Sequence, residues 1–223
     1  STVALNAPYD STDKAYRFVY RTTINEDVKP QTGGGVSFTN TAVLHSDEAG
    51  TAGLPAQASV SAHFGKTLDK SGATYDPSTR TITWRVQYNY GGHAIPAGSA
   101  WVEDICDYPD LEYVDGSVTV QKMKFDSQGK AVVDSDIAEG AEAGRFTFSN
   151  NPDEHRIRVD LNGGVDYPVL VTYKTKVTSV VDSNKTYVNT ALTEGTPPPV
   201  AHDSITIGQH NIIKRMKHAD LDA

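Results

Sequence analysis

The chain has 223 residues, a formal net charge of −8 and a single cysteine, with 38% hydrophobic and 22% charged residues. This length and composition suit a globular protein with a hydrophobic core, and the absence of any run of 18 apolar residues excludes a membrane-spanning helix. The negative charge argues against nucleic acid as a partner, and one cysteine excludes an internal disulfide and CxxC-type sites.

Motifs that mark common enzymes and metal proteins are missing from the sequence. It contains no P-loop, GxGxxG, nucleophile elbow or HExxH motif, and its seven histidines have no zinc-like spacing. Acidic residues are scattered, but no DxDxDG calcium loop is present. The sequence therefore predicts a protein without a metal or a cofactor.

Apolar and polar residues alternate along most of the chain, which is typical of strands with one buried face. Clear examples are TITWRVQY at 81–88, RIRVDL at 156–161 and VLVTYKTKV at 169–177. Turn-forming residues separate these runs, and Asp69-Lys70-Ser71-Gly72 is one such predicted turn. A short helix is favoured only around 135–144. Many short strands with polar turns predict an all-β, antiparallel sandwich.

The chain also contains an internal repeat. Tyr20-Arg21-Thr22 matches Tyr173-Lys174-Thr175, and Thr39-Asn40-Thr41-Ala42 matches Val188-Asn189-Thr190-Ala191. A weaker match pairs HFGKTLDKSG with NIIKRMKHAD, which places Lys66 opposite Lys214. The matches predict one complete unit and two partial units of a tandem array. The predicted division is 1–47, the last strands of a preceding repeat; 48–58, a linker; 59–195, the complete domain; 196–204, a Pro-rich linker; and 205–223, the first strand of a following repeat.

Lys66 is the first candidate for chemistry. It shares the parity of Val60, Ala62, Phe64 and Leu68, which points its ammonium group inward. The alternative is an edge-strand lysine whose head group reaches solvent. A buried lysine without a partner loses its proton, and a neutral amine is a nucleophile.

Asn189 and an acid on a middle strand are the other candidates. Asn189 lies on one face with Tyr187 and Ala191, and parity does not decide whether this face is buried. Asp104 and Glu103 point to opposite faces of their strand, so either could be the inward carboxylic acid. A buried protonated acid can hydrogen-bond an amide carbonyl and move protons.

The order FGKTL, TITWRVQY, VEDICDYPDLEYVDGSVTV, LVTYKTKV and YVNTAL resembles the repeated immunoglobulin-like domains of Gram-positive surface adhesins, above all those related to the collagen adhesin. The resemblance implies an immunoglobulin-like β-sandwich of reversed topology. In that family, a lysine on the first strand and an asparagine on the last strand form a spontaneous intramolecular isopeptide bond, assisted by an acid and with loss of ammonia. Carried over to this chain, Lys66 is the amine, Asn189 the amide and Asp104 the acid, with Glu103 as its rival. Trp84 is the expected aromatic neighbour of the bond.

The partial repeats suggest a second cross-link. Asn40 and Lys214 are its candidate partners, within one molecule or between neighbouring molecules, because 205–223 has the strand that 1–47 lacks. No strand with a matching acid is evident in that part of the sequence.

The resemblance implies a stalk or spacer repeat of a bacterial adhesin or pilus-like protein, located outside the cell at the cell wall. Its expected partners are adjacent repeats of the same chain and, through the whole adhesin, a host matrix protein; neither nucleic acid nor membrane insertion is expected. It turns over no substrate and only cross-links itself once. The alternative is an adhesive module that binds collagen or fibrinogen. An enzymatic reading, such as a carbohydrate-active sandwich, rests only on scattered carboxylates.

Overall fold

A computed structural model describes residues 16–45, 53–179 and 184–208 of the chain. These residues form fourteen strands and two single-turn 3₁₀ helices, Glu26–Val28 and Pro152–Glu154. No helix in the described part of the chain is long and apolar enough to cross a bilayer. The strands are β1 (Gly34–Leu44), β2 (Leu54–Phe64), β3 (Leu68–Lys70), β4 (Thr74–Asp76), β5 (Thr81–Tyr88), β6 (Trp101–Ile105), β7 (Leu111–Tyr113), β8 (Thr119–Phe125), β9 (Ala131–Ile137), β10 (Phe146–Asn151), β11 (Arg156–Leu161), β12 (Val169–Val177), β13 (Lys185–Thr193) and β14 (Val200–Ile207).

Two antiparallel sheets pack face to face as a β-sandwich. One sheet has the order β10-β11-β6-β13-β14. The other has the order β3-β5-β12-β8-β9, and β4 and β7 add to it by pairing with β5 and β12. The predicted all-β, immunoglobulin-like sandwich is confirmed, and the predicted helix around 135–144 is wrong because Ser135–Ile137 complete β9 and turns follow.

The alternating residues of the central strands build the core between the sheets. Inward side chains of β5 and β12 are almost completely buried, as their period of two predicts. Trp84, Tyr88 and Tyr173 are the largest of these buried side chains. Aromatic residues of this size contribute most of the apolar area that such a core removes from water.

The ends of the sandwich differ from the predicted domain boundaries. The predicted linker 196–204 and the predicted following strand 205–223 overlap β14, which pairs along its length with β13. β14 is therefore an edge strand of the same sandwich and not part of a following repeat. Residues 209–223 lie outside the described residues.

The N-terminal boundary differs in the same way. The predicted linker 48–58 and the start of the predicted complete domain at 59 both overlap β2, which pairs with β1 as a separate two-stranded hairpin. The sandwich itself begins at β3.

Asp110, in the loop after β6, connects this loop to the residue Ser179 that follows β12 and to the start of β13. Its Oδ2 accepts hydrogen bonds from Ser179 Oγ at 2.6 Å, Lys185 Nζ at 2.7 Å and Tyr187 Oη at 2.9 Å. Partial burial acts to raise the pKa of Asp110, but the hydrogen bonds from Lys185, Ser179 and Tyr187 outweigh it and hold the pKa at about 2.

We expect Asp110→Asn to reduce the free energy of unfolding by about 1–2 kcal/mol at pH 7, because charge-assisted hydrogen bonds are lost. The folded pKa lies below the unfolded value, so this stability is present above the unfolded pKa and disappears as the pH falls toward about 2. Urea unfolding at pH 7 and pH 2 measures the difference. The exposed Asp115→Asn is the control, and an Asp110→Asn effect of equal size at both pH values would contradict the prediction.

Candidate functional site

A buried lysine, a carboxylic acid and an asparagine meet between the two sheets. They are Lys70 at the end of β3, Asp104 on β6 and Asn189 on β13. Lys70 belongs to one sheet, whereas Asp104 and Asn189 belong to the other. All three are buried, although such side chains are rarely found in a protein core.

Lys70 forms a fully buried ion pair. Its Nζ donates a hydrogen bond to Asp104 Oδ2, and its side chain has no exposed area. The same Nζ lies 5.4 Å from the ring centre of Trp84 and 5.6 Å from that of Tyr173. Two aromatic faces and one carboxylate therefore surround the amine, and the sequence-based expectation of Trp84 as the aromatic neighbour agrees with this geometry.

Asp104 is placed by the register of its sheet. It lies opposite Ile157 on β11 and Ala191 on β13, and its side chain points into the core. Burial raises the pKa of the Asp104 carboxyl group, although the neighbouring Lys70 acts to lower it. Asp104 Oδ1 has no hydrogen-bond partner among the described residues.

Asn189 faces the same interior. Its Nδ2 donates a hydrogen bond to Tyr173 Oη at 2.5 Å, whereas its Oδ1 accepts none from the described residues. Burial raises the pKa of Tyr173 well above its ordinary value, and the charge on Asp104 adds to this effect. The Tyr173 hydroxyl therefore stays protonated and holds the Asn189 amide in a fixed orientation.

A cleft borders this cluster at Asp104 and Tyr173. Its volume is about 400 Å³, and Asp104, Cys106, His155 and Tyr173 are among the residues that line it. Burial raises the pKa of the Cys106 thiol to about 12, so it is a packing residue and not a nucleophile.

The sequence-based prediction of Lys66 as the inward amine is wrong. Its side chain is 57% exposed, and Nζ forms an ion pair with Asp69 at 2.7 Å. The parity argument fails because β2 ends at Phe64 and the chain turns at Gly65 before β3 begins in another sheet. Alternation is meaningful only within one strand.

Lys70 was missed because Asp69–Gly72 has the composition of a turn. The available signal was its spacing of two from Leu68, since both side chains are buried in β3. Glu103, the rival of Asp104, points to the opposite face of β6 and binds Arg156 and Arg158 at 3.0 Å each. The structure therefore brings Asp104, and not Glu103, into the cluster.

The candidates for a second cross-link are outside this cluster. Asn40 is exposed on β1, where it lies opposite Ala58 of β2. Lys214 lies outside the described residues.

The two packed sheets make this chain an immunoglobulin-like β-sandwich protein. Its sheets enclose a buried amine, a carboxylic acid and an amide. The family model of the collagen binding domain matches residues 65–197, which is more than half of the chain. The chain belongs to this collagen-binding domain family, and the resemblance inferred from the sequence is confirmed. No curated protein matches the chain in sequence.

Solved structures with a similar chain path come from bacterial surface proteins. The collagen-binding domain from a Staphylococcus aureus adhesin is 12% identical with a TM-score of 0.42, and the match covers 64% of this chain and 97% of that one. The collagen-binding subdomain of the Enterococcus faecalis surface protein ACE is 11% identical with a TM-score of 0.41, covering 64% and 94%. The major pilin SpaD from Corynebacterium diphtheriae is 12% identical with a TM-score of 0.37, covering 62% and 34%.

Removing the amine tests the electrostatics of the cluster. In Lys70→Met, the raised folded pKa of Asp104 means that the native protein keeps a proton that the unfolded chain releases. The free energy of unfolding of Lys70→Met is therefore highest below the pKa that Asp104 has in the unfolded chain. It falls as the pH rises toward the pKa of Asp104 in the folded protein, with a slope of up to about 1.4 kcal/mol per pH unit.

Urea unfolding of Lys70→Met and of the double variant Lys70→Met/Asp104→Asn from pH 4 to pH 8 measures this slope. Both variants lack the amine, so their difference isolates Asp104. Lys66→Met, at an exposed position, is expected to retain the profile of the unaltered chain. Parallel profiles of the single and double variants would contradict the assignment.

Proposed function

We propose that Lys70 and Asn189 form an intramolecular isopeptide bond, assisted by Asp104, and that this bond stabilises an adhesin module. The observation that carries the proposal is the burial of the Lys70–Asp104 ion pair beside the Asn189 amide, between two sheets. An isolated buried ion pair contributes little to stability because desolvation offsets the attraction. If the amine reacts to form an amide, no buried charge remains, and the desolvation cost of the ion pair disappears.

The surroundings of Asp104 favour its protonated form, because burial raises the pKa of the carboxyl group. In the first step, Asp104 accepts a proton from the Lys70 ammonium along the hydrogen bond that joins them. The neutral Nζ attacks Cγ of Asn189, and the protonated Asp104 donates a hydrogen bond to the amide oxygen, on which negative charge develops. The new C–Nζ bond replaces the C–Nδ2 bond, and ammonia leaves with the proton taken from the amine.

Tyr173 supports this chemistry. Its Oη holds the Nδ2 that becomes the leaving group. Loss of the ammonia makes the reaction effectively irreversible. The protein acts on itself once and turns over no substrate.

The bond connects the two layers of the sandwich. It joins β3 to β13 and closes a loop between positions 70 and 189. By the chain-entropy treatment used for disulfides, a loop of this length stabilises the fold by about 5 kcal/mol. A pulling force that enters near β3 and leaves near β13 is then carried by covalent bonds.

This role fits a stalk or spacer repeat of an adhesin at the surface of a Gram-positive cell. Membership of the collagen-binding domain family supports the adhesin assignment and an extracellular location at the cell wall. An amide cross-link is insensitive to reduction, which suits a chain with one cysteine. Adjacent repeats of the same polypeptide are its expected neighbours.

Intact mass under denaturing conditions tests the bond. We expect the purified chain to weigh less than its sequence by one ammonia. Lys70→Ala, Asn189→Ala and Asp104→Ala are each expected to have the full calculated mass, because each removes a reacting or assisting group.

Lys66→Ala is the matched control, since it removes a lysine four positions away that is exposed. It is expected to remain one ammonia lighter than its sequence. A full mass for the unaltered chain, or for Lys66→Ala alone among the lysine variants, would overturn the Lys70–Asn189 assignment.

Collagen binding is the second candidate function, because the matched family is the collagen binding domain. It is compatible with the cross-link, which would then hold a binding surface in place. Fibrinogen is an alternative matrix ligand in this second proposal.

Solid-phase binding of the purified chain to immobilised collagen and fibrinogen separates an adhesive module from a spacer. Saturable binding to collagen, absent on albumin, would establish the adhesive role. The spacer function predicts signals equal to those on albumin for both matrix proteins, with the mass deficit unchanged.

A further inference from the structure

The hairpin β1–β2 repeats the hairpin β13–β14 of the sandwich in both sequence and register. Asn40-Thr41-Ala42 corresponds to Asn189-Thr190-Ala191. In β1–β2, Ala42 lies opposite Ala56, and in β13–β14, Ala191 lies opposite Ala201. The asparagine pairs differ in their second member, since Asn40 lies opposite Ala58 and Asn189 opposite Asp203. The pairs beyond them match in character again, with Phe38 opposite Val60 and Tyr187 opposite Ile205.

One face of β1–β2 is apolar, and most of it is exposed in the described part of the chain, whereas Val36, Phe38 and Ala62 at one end are half-buried. The opposite face carries serine, threonine, glutamine and histidine side chains, as a surface face does. Val60 on the apolar face is 68% exposed and Leu54 is 59% exposed. The apolar face is formed by Val36, Phe38, Asn40, Ala42, Leu44, Leu54, Ala56, Ala58, Val60 and Ala62.

The equivalent face of β13–β14 is the inner face of the sandwich. Tyr187, Asn189 and Ala191 are completely buried there by the sheet that carries Lys70 and Tyr173. The outer edge of β13 is also occupied, because β6 pairs with it and places Asp104 opposite Ala191. Among the described residues, β1 pairs only with β2, so its outer edge is open, and most of its apolar face is exposed. An open apolar strand of eleven residues is a site for further pairing.

The segment before the hairpin continues the correspondence. Tyr20-Arg21-Thr22 matches Tyr173-Lys174-Thr175 of β12. Tyr20 is 65% exposed and Val19 is 76% exposed, and residues 16–24 belong to no strand. Two successive parts of the chain thus match β12 and β13 in sequence, and β2 takes the place of β14 by its pairing with β1.

We propose that residues 16–64 are the C-terminal part of a second sandwich, and that Asn40 is the amide of a second isopeptide bond. The partner that covers the apolar face is a β-sheet of the same family, with a buried lysine, and it belongs to the polypeptide on the N-terminal side of Tyr16. The order of Lys70, Asp104, Tyr173 and Asn189 along the sandwich favours this source, because the lysine and acid strands come before the tyrosine strand.

The partner supplies two groups to β1. A strand with a carboxylic acid pairs with the open edge near Ala42, as β6 pairs with β13. A lysine from the facing sheet attacks Cγ of Asn40; the C–Nδ2 bond breaks, and ammonia leaves with a proton from the amine. The inference rests on the proposed function, since it assigns Asn40 the chemistry of Asn189.

The test extends the chain with its own sheet as the probe. Residues 65–168 are repeated in front of residues 16–223, so that 16–24 follow where β12 stands in the sandwich. We expect the extended chain to lack two ammonias, against one in the 223-residue chain. Asn40→Ala in the extended chain is expected to lack one, whereas Thr41→Ala, on the polar face, is expected to lack two.

Thiol labelling measures docking independently of the bond. Cys106 is buried, so a cysteine introduced in place of Val60 is the accessible thiol. Val60→Cys is expected to react rapidly with a maleimide in the 223-residue chain and to be protected in the extended chain. Ser59→Cys, on the other face, is expected to react rapidly in both.

The outcomes separate the two proposals. One missing ammonia in both chains, with Val60→Cys labelled in both, would overturn this inference and leave the Lys70–Asn189 bond intact. Protection of Val60→Cys without a second missing ammonia would overturn the role of Asn40. A full mass for the 223-residue chain would instead overturn the proposed function, and labelling would then decide the docking alone.

Discussion

The buried ion pair of Lys70 and Asp104 is the interaction on which the rest of the structure depends. Two charges enclosed between β-sheets are unfavourable unless each satisfies the other and the surroundings hold them in place. Trp84 and Tyr173, which belong to the same sheet as Lys70, lie close to the amine. The amide oxygen of the neighbouring Asn189 has no hydrogen-bond partner among the described residues. The arrangement is poor as a static salt bridge and well suited to a reaction that removes both charges.

The sheet topology defines what the proposed bond would connect. Lys70 lies on an edge strand of one sheet, whereas Asp104 and Asn189 lie on adjacent strands of the other. Packing between the sheets depends on apolar burial, which acts only over short distances and is lost once the layers separate. A covalent link between the layers keeps them together after such a local opening. The open face of β1–β2 has the same pattern as the inner face of β13–β14. It lacks the second layer that covers β13–β14 in the described part of the chain.

Much of the fold was predictable from alternation alone. The inward residues of β5, β11 and β12 are buried as their period of two predicts, and Asn189 was found from a short repeated motif. The repeat also identified Asn40 and Tyr20 as counterparts of core residues. Prediction failed at strand ends: Lys66 followed the parity of β2 but lies beyond its last residue, and Lys70 was hidden in a turn-like segment. Likewise, β14 was assigned to a linker and a following unit because its pairing with β13 is not encoded locally.

The sequence by itself determined the all-β class, the alternation of the core strands, the family and Asn189 as the candidate amide. Only the tertiary structure decided which lysine and which acid reach that amide. The reason is that alternation fixes faces within a strand, whereas the meeting of β3, β6 and β13 depends on inter-strand register and on how two sheets are stacked. A register shift of one residue would move every side chain of a strand to the opposite face. In the observed register, Asp104 faces the core, whereas Glu103 faces outward and binds Arg156 and Arg158.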